Sequence, residues 1–271
     1  MTTELLIATD LTARGDRPFE RAKLLADHWQ ANRTILFVNS GKTEVDKDKV
    51  HALLKRKYGD DADGCGVVIE KGKPPKIIAN TATAQESDLI IVGAARHNNI
   101  SDFFLGTAVD HLVYHATTPV LVVKERPLGH YKKIMVAADF SEFSVNALNT
   151  ALKLFPEANV EIVHAYHVAY EAWLNSDGVA KEMRAEAEKE LDQFMTELEL
   201  SETDQARVTP RLVEGNLHQS IHKILNAGEI DLLVLGTHGR SGFAKATIGS
   251  RASEMLNWSP VDVLMVGKSN Q

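Results

Sequence analysis

The feature that most limits what this chain can fold into is that it is written twice. Glu4-Leu-Leu-Ile-Ala-Thr-Asp10 is echoed by Lys133-Ile-Met-Val-Ala-Ala-Asp139, offset by 129 residues. Ser87-Asp88-Leu-Ile-Ile-Val-Gly93 is echoed by Ile230-Asp231-Leu-Leu-Val-Leu-Gly236, offset by 143, and Thr118-Pro119-Val-Leu-Val-Val123 by Ser259-Pro260-Val-Asp-Val-Leu-Met-Val266, offset by 141. A sequence that repeats with one period carries one fold repeated. The 271 residues are therefore expected to form two domains, 1–126 and 131–271, joined by the short Pro- and Gly-containing segment around Pro127 and Gly129.

Within each copy, short apolar runs alternate with amphipathic stretches. The runs are 4–9, 34–39, 66–70, 88–92 and 119–123, then 132–138, 159–166, 207–213, 231–235 and 260–266. Runs of this length, rich in Val, Ile and Leu and lacking polar alternation, read as strands buried on both faces. Stretches such as Phe19 to Trp29 and Ala147 to Phe155 read as the helices between them. Five strands linked by helices predict an α/β fold, a doubly wound five-stranded parallel sheet of Rossmann-like type, in each copy. Such sheets bind ligands at the carboxyl ends of the strands, where the strand order reverses.

The formal net charge of −7 belongs to one copy. Up to residue 128 there are 17 basic and 17 acidic residues; beyond it there are 13 and 20. Much of the excess lies in 182–204, where Met183, Ala187, Leu191, Phe194 and Leu198 recur at helical spacing, so it reads as the solvated face of an amphipathic helix. The dozen extra residues of the second copy fall in the same region. No basic patch with interleaved aromatics points to nucleic acid. No apolar run approaches the roughly 20 residues that span a bilayer. The start has no basic n-region, and the single cysteine, Cys65, fits a reducing compartment, so the cytoplasm is the expected location.

The chemistry is expected just after the strands. Behind the fourth strand of copy two stands Gly236-Thr-His-Gly239, then Gly249-Ser250 nine residues beyond Gly239, followed by a helical segment from Arg251 to Asn257. Glycines let backbone N–H groups approach an anion closely, and a helix N-terminus favours negative charge. The Ser250 hydroxyl is placed either to cap that helix or to bond a phosphate oxygen. A flexible strand-to-helix loop is the plain alternative. Behind the first strand stands Asp139-Phe140-Ser141. Its carboxylate suits an amine or hydroxyl of a ligand, and equally a helix cap, a role open also to Ser141 and Ser144.

Taken together, Asp139-Phe-Ser141 with Ser144, Gly236-x2-Gly239-x9-Gly249-Ser250 and Ser259-Pro260-Val261 resemble the universal stress protein family, and the resemblance runs through both copies. It implies a tandem pair of such domains related by a pseudo-twofold axis, with 119–123 pairing 260–266. It also implies an adenine nucleotide, ATP, in the second copy. Asp139 would meet the adenine, Val163 and His164 would flank it through backbone groups, and Gly236, Gly239, Gly249 and Ser250 would hold ribose and phosphates. The first copy departs from the pattern: Asp10, Gly93, Gly106 and Thr107 match, but Arg96 stands where the second glycine should be. That site is expected to be degenerate, because an arginine is strained at a glycine position or fills the pocket.

Other patterns fall away. Gly41-Lys42-Thr43 lacks the earlier glycine of a P-loop, and Gly64-Cys-Gly66 lacks the third glycine of a dinucleotide fingerprint. His111/His115 and His218/His222 have metal-ligand spacing but no further ligand pattern, so no metal site is expected. Cys65 lies among Asp60, Asp61 and Asp63, which oppose a reactive thiolate. The expected function is a cytoplasmic, ATP-binding regulatory or stress-response protein that presents a changed surface to an unidentified protein partner. The alternative is a weak ATPase or autophosphorylating enzyme, acting through Ser250 or Ser241 and requiring magnesium. Two chains could also pair as a homodimer.

Overall fold

The computed structural model describes residues 2–12, 15–41, 44–94, 108–166, 177–239 and 248–267. These fall into two compact units. The first holds the described residues up to His130 together with the last strand, from Asp262; the second holds those from Tyr131 to Gly239 and from Gly249 to Val261.

In the first unit the chain runs β1 (Glu4–Thr9), α1 (Asp16–Trp29), β2 (Asn32–Asn39), α2 (Lys47–Tyr58), β3 (Gly66–Lys71), α3 (Pro74–Ala84), β4 (Leu89–Gly93), α4 (Ala108–His115) and β5 (Val120–Val123). The strands lie in the order β3-β2-β1-β4-β5, all parallel. Leu5, Leu6 and Ile7 of β1, Leu89 to Val92 of β4 and the whole of β5 are buried, as strands covered on both faces must be. Helix α1 forms because Phe19, Ala22, Leu25 and Ala26 make one apolar stripe, and it stops where Gln30 turns left-handed at φ 53°. Asp46 starts α2 by accepting the N–H groups of Asp48 and Lys49.

In the second unit the order of elements is repeated: β6 (Lys133–Ala137), α5 (Glu142–Leu154), β7 (Asn159–Tyr166), α6 (Asp177–Glu197), a single turn α7 (Glu202–Gln205), β8 (Val208–Glu214), α8 (Leu217–Asn226), β9 (Leu232–Gly236) and α9 (Ser250–Trp258). The strand order is β9-β6-β7-β8, again parallel. The long acidic helix is α6, and Ala187, Leu191, Phe194 and Leu198 are its buried stripe. Met183, expected in that stripe, is instead 37% exposed, one turn before the contact begins. Arg207 locks the end of α5 in place: its guanidinium donates to the carbonyls of Leu152, Phe155 and Ala158 and to Asp204.

The last strand, β10 (Asp262–Val266), belongs by its contacts to the first unit. It pairs antiparallel with β5, Val263 opposite Val122 and Leu264 opposite Leu121, which is the pairing the resemblance implies. Its first residue is a buried charge. Asp262 Oδ1 accepts the N–H groups of Lys124 and Glu125 at 2.8 and 3.0 Å, and Oδ2 lies 3.4 Å from Arg21 Nε. Arg21 in turn donates to the carbonyl of Gly129 at 2.6 Å. Removing one partner of such a pair leaves the other charged and desolvated. Asp262→Ala should therefore lower stability by about 3–5 kcal/mol in chemical denaturation; a loss below 1 kcal/mol would show that the pair is idle.

Burial holds the Lys124 ammonium down at about 8, against the opposing pull of the Asp262 carboxylate. A lysine in the unfolded chain titrates at about 10.4. Between those values the unfolded state binds more protons than the folded one, so this group's contribution to stability rises with pH from about 8 to 10. Urea titrations at pH 7.5 and 9.5 should show that rise in the wild type and its loss in Lys124→Met.

Candidate functional site

The strand order of the second unit reverses between β6 and β9, so their carboxyl ends open side by side. The turn after β6 is built around Asp139. Its Oδ1 accepts the Ser144 hydroxyl at 2.9 Å and the Ser141 N–H at 3.2 Å, while the Asp139 N–H donates to Ser144 Oγ at 3.0 Å. Ser141, not Asp139 or Ser144, is the residue that caps α5. Phe140, between them, is left-handed at φ 61°. A non-glycine residue there is uncommon. It is held by stacking on the His164 ring, with centroids 4.1 Å apart, and against Phe194 of α6.

On the β9 side the three glycines do different work. A Cβ on Gly236 would come within 2.9 Å of the backbone of Phe143, so that glycine permits the close approach of β9 and α5. A Cβ on Gly239 would run into the Asp139 carboxylate at Oδ2. Gly249 is another matter. Its backbone, at φ −55° and ψ 137°, suits any residue, and among the described residues a Cβ there would meet the Thr237 carbonyl at 3.4 Å and the His238 Cα at 3.7 Å, both ordinary van der Waals contacts. Its N–H donates to that same carbonyl at 2.9 Å, anchoring the start of α9 to the end of β9.

Gly249 is also the N-cap of α9, so the helix begins at Ser250 and has no side-chain cap. Ser250 is the first helical residue, exposed, with no capping role. Helices α2, α5 and α8 begin on a capping side chain, Asp46, Ser141 and Asn216, whereas α1 and α3, like α9, have none.

Val163 is fully buried, and its carbonyl accepts the Ala138 N–H at 2.9 Å. His164 shares a hydrogen bond of 2.8 Å between Nδ1 and the Ala138 carbonyl and sits on the Phe140 side of the sheet. The next residue, Ala165, points the other way, as strand alternation requires. It lines a cleft of about 340 Å³ together with Gly215, the first turn of α8 from Asn216 to His218, and Arg251, Glu254 and Met255 of α9. Neither Ala165, Gly215 nor Arg251 was marked by the sequence. The signal available was the period of two along β7, which separates Ala165 from His164. His238 Nδ1 lies 3.0 Å from Thr237 Oγ1.

The first copy keeps the aspartate turn. Asp10 Oδ1 accepts the N–H and hydroxyl of Thr12 at 2.9 and 2.7 Å, and Leu11 is left-handed at φ 58°. From α2, Tyr58 reaches this loop, its hydroxyl 3.4 Å from Thr9 Oγ1 and 3.2 Å from the Gly15 carbonyl, and Lys57 bonds Asp16 at 2.8 Å. Burial pushes the Tyr58 phenol up to about 12. Gly93 ends β4. Arg96, Gly106 and Thr107 lie outside the described residues, as do Ser241 and the rest of 240–247.

Among the described residues no group of three or more His, Cys, Asp or Glu gathers to hold a metal ion. His218 and His222 stack beside Trp258 instead. The Cys65 thiol is pushed up, first by burial and further by Asp61, with Arg33 opposing. Among the described residues no helix is long and apolar enough to cross a membrane.

The glycine packing is testable. Gly236→Ala forces a methyl against the Phe143 backbone and should cost about 1–3 kcal/mol in urea denaturation. Gly249→Ala, which has room for the methyl, should unfold like the wild type. Equal losses at both positions would contradict the contacts described.

Comparisons agree with this architecture. The model of the "Universal stress protein family" matches residues 1–124 and again 130–267. A universal stress protein of Methanocaldococcus jannaschii is 27% identical over 158 residues, covering 52% of this chain and 97% of that protein. Universal stress protein E of Salmonella typhi is 25% identical over 224 residues, covering 73% of this chain and 67% of its own length. Among solved structures, a Pseudomonas aeruginosa protein described as a universal stress protein superposes with TM-score 0.69 at 20% identity, covering 98% of this chain and 93% of that one. One from Archaeoglobus fulgidus does so with TM-score 0.64 at 16% identity, covering 98% and 97%.

Proposed function

The chain belongs to the universal stress protein family, carrying its fold twice, and from that premise we propose that it is an ATP-binding regulatory protein whose nucleotide site lies in the second of two domains, 1–126 and 131–271. The observation that carries the reading is Gly249. Neither its backbone conformation nor its packing against the described residues requires a glycine, yet it stands at the uncapped start of α9, beside the carboxyl ends of β6 and β9. A bare backbone at an uncapped helix N-terminus is what an incoming phosphate group needs: free approach, unpaired N–H donors and a favourable dipole. Ser250 adds a hydroxyl at the same place. Gly236 and Gly239 let the β9 loop close on Asp139, which puts a carboxylate within reach of a ribose or an adenine amine bound above it.

The uncapped helix explains how an acidic copy can hold an anion. Binding rests on backbone dipoles a few ångströms from the phosphates, and these outweigh a net charge spread over a distant, solvated helix face. Bound nucleotide would change the surface beside α9 and the end of β9, and a partner reading that surface would sense the occupied state.

Thermal denaturation with ATP tests this. At ligand concentrations about 100 times Kd, ATP should stabilise the protein by about 2.7 kcal/mol. Gly249→Val should lose that gain. No ATP-dependent stabilisation of the wild type at millimolar nucleotide would overturn the reading.

A further inference from the structure

The cleft between α8 and α9 carries charge that the nucleotide reading does not use. Arg251, the residue after Ser250, lines it, and no ion-pair partner for Arg251 is found among the described residues. Across from it an acid and a base face each other between the two helices: His218 Nδ1 of α8 lies 2.9 Å from Glu254 Oε1 of α9. Both side chains are partly exposed, 40% and 59%, while the Nδ1 atom that faces Glu254 is itself buried. Trp258 backs the imidazole at 4.6 Å, and His222, the next titratable group on α8, stacks 6.2 Å away with Asn226 2.8 Å from its ring nitrogen. Among the described residues the rest of the lining, from Ala165 to Leu217 and Met255, carries no charge.

The consequence is an electrostatic sum. With His218 neutral, Arg251 and Glu254 cancel. With His218 protonated, Glu254 is neutralised by its partner and the described lining carries one net positive charge. The cleft opens onto the first turn of α9, where the phosphates are placed by the reading above. Resting on that reading, we propose that His218 makes anion binding at this site proton-responsive: the nucleotide is held more tightly as the pH falls through the imidazole range. His218 is a positioning and charge-setting residue, acting through Glu254 and Arg251. The ligand class selected is a polyanion, a nucleoside polyphosphate in preference to the neutral nucleoside.

Imidazole changes charge between about pH 5 and 8. A single added charge within about 8–10 Å of a polyphosphate, partly screened by water, corresponds to an affinity change of roughly 3- to 10-fold. ATP loses charge on its terminal phosphate over the same range, which weakens binding equally in any variant. The measurement is therefore the ratio of ATP dissociation constants at pH 8 and pH 6, by calorimetry, in wild type and in His218→Gln. The wild-type ratio should exceed the variant's several-fold, and adenosine should show no such difference. Glu254→Gln should tighten ATP binding at pH 8. The same ratio in wild type and His218→Gln would overturn the proposal. Should ATP bind at neither pH, the nucleotide reading fails, and inorganic tripolyphosphate decides this one separately. Bound tripolyphosphate should move the titration midpoint of the His218 ring NMR signals to higher pH, because linkage is reciprocal; an unmoved midpoint would overturn it.

Discussion

A parallel sheet covered by helices on both faces has one place left for polar chemistry, the carboxyl edge of its strands. Everything notable in this chain follows from that constraint. Leu232 to Leu235 of β9 and Ile134 to Val136 of β6 are buried to within 1% exposure, so no side chain in mid-strand can reach a ligand. The first residues free to do so are those where each strand ends, and the sheet order sets which ends are neighbours. Because β6 and β9 are adjacent, Asp139 and Gly239 meet although 100 residues separate them. The buried pair of Arg21 and Asp262 serves the same economy at the other border. It satisfies the backbone N–H groups that β5 would leave open as it gives way to the linker, and it does so with a residue from the far end of the chain.

The repeat, the strands and the helices were legible in the sequence because each rests on a signal that survives without neighbours: self-similarity, short unbroken apolar runs, and a stripe at helical spacing. All ten expected runs overlap observed strands. The face of each strand was not legible. An unbroken apolar run such as Ile162-Val163 has no alternation to say which side is which, and Val163 and His164 are singled out only by the family resemblance. The cleft begins one residue later, at Ala165, on the opposite face. A shift of one residue along a strand reverses the side chain completely. The pairing of β10 with β5 was legible only through the family resemblance and from no local signal, since pairing across so long a separation depends on the assembled sheet.

The same limit applies to the helix start. Ser250 looked like a capping hydroxyl because serine is a common N-cap, but the cap position falls one residue earlier, on a glycine whose N–H is tied to Thr237. Boundaries of one residue decide whether a hydroxyl is spent inside the fold or remains outside it. Here it remains outside, at the start of a helix with no side-chain cap among the described residues.

Comparing the copies separates what the turn needs from what a ligand needs. Leu11 and Phe140 both adopt a left-handed conformation directly after an aspartate, and in both copies that carboxylate accepts two bonds from residues that follow, both from Thr12 in the first and one each from Ser141 and Ser144 in the second. The turn is thus complete in itself wherever it occurs, and its aspartate alone says nothing about a ligand. Gly236 and Gly239 are likewise accounted for by close packing. What the fold leaves unexplained is narrower: a glycine at 249 with room for a side chain, at the head of a helix without a cap. An unfilled requirement of this kind is stronger ground for a binding site than a motif, because a motif is shared by residues that build the loop and residues that use it, and only the second sort remains after the packing has been subtracted.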